Sequence, residues 1–80
     1  MTPAERVNST VKNDLLRTLH LVLAESGCSH AEAIATAAAL CADTLATSHG
    51  PIEMKELALL EIQDFLLARM YQVVKELYQQ

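Results

Sequence analysis

Residues 52–78 read IEMKELALLEIQDFLLARMYQVVKELY, and the fold turns on how that stretch is read. Between Pro51 and Gln80 there is no further proline or glycine, and Leu, Glu, Ala, Gln, Met and Lys, which dominate it, lose little freedom on entering a helix. One helix is predicted over 51–79, on the order of 40 Å long at 1.5 Å per residue. At about 100° per residue, Leu59, Ile62, Leu66, Met70, Val73 and Leu77 fall on one line. Leu57, Leu60, Leu67, Tyr71, Val74 and Tyr78 form a second line, turned by roughly a third of a revolution. Glu61, Asp64, Arg69, Gln72, Lys75, Glu76 and Gln79 fill the remaining arc. About half of the cylinder is therefore apolar, whereas a helix lying on a single core needs a stripe only somewhat wider than 100°. Two earlier helices lying on the two lines would account for the pattern as core. A surface that binds a partner or a second copy would account for it equally, and one line can serve each purpose.

The chain ahead of this helix is short. Thr2-Pro3-Ala4-Glu5 combines an N-cap, a proline at the first helical position and a capping-box glutamate. A first helix is expected over about 3–26, with Val7, Val11, Leu15, Leu19 and Val22 as its inward line and Leu16 and Leu23 widening it. Gly27 is its expected left-handed cap. Ser29-His30-Ala31-Glu32 repeats the start signal and opens a second helix over about 30–48, rich in alanine, with Ile34, Cys41 and Leu45 on its line. The single residue Cys28 between Gly27 and Ser29 predicts antiparallel neighbours. Small side chains permit close backbone approach, so the second helix is expected at a tight central position. Gly50 and Pro51 end it and open the third, which is expected to run back along it. The expected fold is all-α: one helical domain over 1–80, three helices with a dominant C-terminal one, assembled as a dimeric helical bundle.

Composition narrows the function. A chain of 80 residues with one Phe, no Trp and two Tyr has an aliphatic core at best, and chains this small usually need oligomerisation, metal or disulfides to be stable. The net charge is −4, and the basic residues Arg6, Lys12, Arg17, Lys55, Arg69 and Lys75 are dispersed among acids. Phosphate binding calls for clustered positive charge, so no nucleic-acid partner is expected. Nor is a membrane partner, since Glu5 and Arg6 stand where a signal sequence would be apolar and no charge-free run of 18 residues occurs. The expected location is cytoplasmic.

Candidates for chemistry are few. Cys28 and Cys41 lie roughly 20 Å apart along one helix, too far for a disulfide. Cys28 and His30 form the single closely spaced pair of metal-ligand type, and His20, Cys41 and His49 cannot join them at one point within a chain, so no metal is expected. Cys28 or Ser29 beside His30 or His20 lacks an orienting third group and a pocket. No enzyme activity and no cofactor are expected. In its length, acidity and helicity the chain resembles the acyl and peptidyl carrier proteins, with Ser29 of Gly27-Cys28-Ser29 at the start of the second helix. That resemblance implies phosphopantetheine on Ser29 as a remote alternative; the carriers' Asp-Ser-Leu or Gly-His-Ser-Leu signature is missing. The expected role is a small protein-binding regulator or inhibitor, in the manner of antiactivators, phage-encoded inhibitors or secretion chaperones, that also pairs with itself. A self-associating structural or assembly subunit is the alternative. Leu59, Leu60, Ile62, Leu66, Leu67, Met70, Tyr71, Val74 and Tyr78 are the expected interface.

Overall fold

The computed structural model describes residues 2–79. They form four helices, α1 (Pro3–Thr10), α2 (Asn13–Ser26), α3 (His30–Thr47) and α4 (Ile52–Tyr78), and no strand. The chain is all-helical, but the first helix expected over 3–26 is two helices.

The interruption falls at Val11 and Lys12, whose backbones are extended (φ −63°, ψ 127° and φ −90°, ψ 108°). Its cause lies in the preceding turn. The hydroxyls of Ser9 and Thr10 both donate to the Arg6 carbonyl, at 2.8 and 3.0 Å, bonds that Thr18, Thr36 and Thr44 also make within unbroken helices, so what distinguishes this turn is the run of poor helix formers in it. Asn8, Ser9, Thr10 and Val11 are all weak helix formers, through side-chain competition for backbone groups or through β-branching. Asn13 and Asp14 then restart the helix without a side-chain cap from Lys12.

The other ends follow local chemistry. The Thr2 hydroxyl accepts the Glu5 N–H at 3.2 Å and the Glu5 carboxylate accepts the Thr2 N–H at 3.1 Å, closing the box that starts α1. Gly27 caps α2 at φ 71°, ψ 15°, a left-handed conformation that a Cβ makes costly. Replacing Gly27 by alanine is expected to destabilise the α2 end by about 1 kcal/mol, read as a lowered midpoint in a thermal melt followed by far-UV circular dichroism. At the far end of α3, Ser48 is extended and its N–H donates to the Leu45 carbonyl at 3.2 Å. Pro51 is the N-cap of α4 rather than its first residue: its carbonyl accepts from Met54 N–H at 3.1 Å.

The chain divides into two compact units, Met1–Val11 with Pro51–Gln80, and Lys12–Gly50. In the first, α1 lies along α4. In the second, α2 and α3 do not pack along each other as antiparallel neighbours; they leave an open wedge between them, lined by Leu23 and Ala24 on one side and Ala33, Ile34 and Ala37 on the other. The short connection brings the two ends together, but alanines facing the wedge offer little apolar area to draw the helices closed. None of the residues of α3 is buried. On α2 the half-buried residues are Leu16 and Leu23, while Leu15, Leu19 and Val22 of the expected inward line are exposed.

No described residue is buried anywhere in the chain. For a sequence that is 51% hydrophobic, this is the structural fact with the largest consequence. Burial of apolar side chains is the main favourable term in folding, and here it is incomplete at every position.

Candidate functional site

Helix α4 presents three faces. The first is taken by α1: the half-buried residues of α4 are Lys55, Ala58, Glu61, Ile62, Phe65 and Arg69, which recur at helical spacing on one side. A shallow cleft of about 170 Å³ between the helices is lined by Glu5 and Asn8 of α1 and by Phe65, Ala68, Arg69 and Gln72 of α4. Arg6 reaches Glu61 at 3.4 Å, with both side chains about half exposed. A pair so placed contributes little, since water and salt screen it and two long side chains must be held still. Docking therefore rests on the apolar contacts around Phe65 and the half-buried Val7. The lines drawn through the sequence of α4 left Phe65 out. Its signal, Ala58, Ile62 and Phe65 at i, i+4 and i+7, is interrupted by Glu61 and Arg69, so it reads as a polar flank until α1 is laid on it.

The other two faces are the apolar lines. In the first, Ile62 is half-buried, and Leu59, Leu66, Met70, Val73 and Leu77 are exposed. In the second, all six side chains are exposed, from 40% for Val74 to 86% for Tyr78. Of the nine residues expected at an interface, Leu59, Leu60, Leu66, Leu67, Met70, Tyr71, Val74 and Tyr78 thus lie open on α4, and Ile62 stands at the edge of the α1 contact. Exposed apolar residues scattered singly are ordinary; a continuous strip along a helix of 27 residues is the kind of surface that binds protein.

The polar candidates come together only in part. His20, Cys28, Ser29 and His30 line the α2–α3 wedge, a cavity of about 580 Å³ open to solvent. The Cys28 thiol donates to the Leu23 carbonyl at 3.5 Å, which ties it to the backbone of α2. Both cysteines are free and half-buried. Cys41 and His49 are not among the wedge residues, and among the described residues no cluster of three or more His, Cys, Asp or Glu is placed to hold a metal ion. Also among the described residues, no helix is long and apolar enough to cross a membrane.

Ser29 is occupied as a cap. Its hydroxyl accepts the Glu32 N–H at 3.1 Å and its own N–H donates to the Glu32 carboxylate at 2.9 Å. The Ser29 N–H, followed by the Ser29 side chain, holds the Glu32 carboxyl below its ordinary value. A carboxylate whose folded pKa is depressed stabilises the fold above its unfolded pKa, and the gain is lost as pH falls through the folded one. Acidification below the usual carboxylate range is expected to fray the first turn of α3, measured as faster amide exchange at Glu32 and Ala33. Glu32→Gln should remove the portion of this acid dependence that belongs to the box.

Comparison with protein-family models, with curated proteins and with solved structures gave no match.

Proposed function

We propose that this chain is a small protein-binding regulator or inhibitor that acts through the apolar surface of α4. One observation carries the reading: α1 occupies the Phe65 face of α4 and leaves both leucine-rich lines open to solvent. Small antiactivators, phage-encoded inhibitors and secretion chaperones bind another protein and block, escort or regulate it, and the likeness to them is one of architecture. Met70 adapts its shape to varied partners, and Tyr71 and Tyr78 keep a polar end for a wet rim. The reading places the protein in the cytoplasm, acting without cofactor or metal, with copies associating into a helical bundle.

Quantitative affinity purification from the cell of origin tests it. The wild-type chain is expected to retain one other protein in stoichiometric amount, and Leu66→Glu to lose it while keeping its helical circular dichroism. Recovery of the chain alone would favour the second reading, an assembly subunit that associates only with itself. A mass gain on Ser29 after incubation with a phosphopantetheinyl transferase would replace both with a carrier function.

A further inference from the structure

Leu57, Leu60, Leu67, Tyr71, Val74 and Tyr78 are separated by three and four residues in alternation once position 64 is counted, and position 64 is Asp. This is a heptad seam with a single charged residue near its middle. It lies roughly 150° around α4 from the residues that α1 covers, taking 100° per residue. None of its six apolar side chains is half-buried by α1; Glu61, which Arg6 reaches, stands at its edge. Six side chains of this size at these exposures present roughly 600 Å² of surface per chain. Two copies would bury at most about 1,200 Å² along this seam, the lower end of the range of specific interfaces.

The charges choose the direction. In a parallel pair the two Asp64 carboxylates would face each other within the apolar seam, and Glu56 would lie against Glu61 of the second copy. In an antiparallel pair Leu57 lies opposite Val74, Leu60 opposite Tyr71 and Asp64 opposite Leu67, and Tyr78 at the end of the seam lies opposite Glu53. Glu61, which Arg6 of its own chain reaches at 3.4 Å, then flanks Lys75 of the second copy, twice by symmetry. The parallel arrangement gathers like charges, and the antiparallel one brings opposite charges together.

We propose that α4 pairs antiparallel with α4 of a second copy through the Leu57–Tyr78 seam, with Asp64 seated against Leu67. The proposal rests on the reading of α4 as a binding surface and assigns one of its two lines to the chain itself. The line through Leu66 stays free for another protein.

Sedimentation velocity on the full chain at tens of micromolar is expected to show a dimer; a monomer overturns the proposal. A spin label at Glu56→Cys, in a chain carrying Cys28→Ser and Cys41→Ser, fixes the direction. The two labels of an antiparallel dimer stand on the order of 30 Å apart, from 1.5 Å per residue along the axis and a helix separation near 10 Å. A distance of roughly 10 to 15 Å, one helix separation, means a parallel pair and overturns it. Leu67→Glu should raise the dissociation constant at least a hundredfold. Because that variant can also unfold, Asp64→Leu supplies the opposite arm: removing the charge from the seam should tighten the dimer tenfold or more, and an unchanged constant overturns the proposal. Leu66→Glu should leave the dimer intact, and its loss there would show that the other line makes the contact. A wild-type monomer that still retains a Leu66-dependent partner would sink the dimer and leave the regulator standing. A dimer of the expected direction that retains no other protein would do the reverse.

Discussion

Diluting the wild-type chain a hundredfold is expected to lower its thermal midpoint by roughly 5 to 10 °C. The expectation follows from the absence of any buried residue among those described. A stable monomer of this length would have to supply its stability from a core of its own, and no described residue is buried. Whatever covers the α4 lines then enters the folding equilibrium, so that stability depends on concentration by mass action. For a dimer, a hundredfold dilution costs about 2.7 kcal/mol, two factors of ten in an equilibrium constant. An assembly of two such chains shifts its midpoint by about 2 to 4 °C for each kcal/mol. Circular dichroism melts at two concentrations make the measurement. A midpoint that does not move would show that the chain closes its apolar surface by itself, and would remove the reason for assigning α4 a binding role.

What could be read from the sequence was the chemistry that acts within a few residues. Thr2 with Glu5, Ser29 with Glu32, and Gly27 each satisfy or reverse the backbone within one turn, and each stands where its residue type predicts. The unbroken run after Pro51 is one helix for the same reason: every residue in it tolerates helical dihedrals, and no proline or glycine interrupts it.

The break at Val11 was hidden because the apolar spacing of Val7, Val11, Leu15 and Leu19 runs through it in phase. A periodic pattern reports which side of a helix is apolar, not whether the helix is continuous. The competing signal is the run Asn8, Ser9, Thr10 and Val11, four weak helix formers in succession. The open α2–α3 wedge had a different origin. Alanine permits close approach of helices but contributes little area to drive it, and the expectation of α2 and α3 as packed antiparallel neighbours took permission for cause. The choice of the Phe65 face by α1 was beyond local reading altogether, because it pairs residues more than 50 positions apart. Its consequence for the site is direct: with α1 on the polar flank, neither apolar line of α4 is used up inside the α1–α4 unit.

Phe65→Ala tests that placement, and its expected effect is the release of α1. An isolated helix of eight residues is not stable in water, where even good sequences need about 12 to 15, so α1 persists only while docked. Two of the contacts that hold it can be compared directly. The Arg6–Glu61 pair is exposed on both sides and is worth at most about 1 kcal/mol. Phe65 is half-buried, and since truncating a fully buried phenylalanine costs about 3 to 5 kcal/mol, roughly 2 kcal/mol is expected here. The apolar contact should win: Phe65→Ala raises amide exchange across Pro3–Thr10 by more than tenfold, while Arg6→Ala raises it no more than a few-fold. If Arg6→Ala releases α1 as fully as Phe65→Ala does, the docking is electrostatic, and the ranking of α4's faces by apolar contact fails with it.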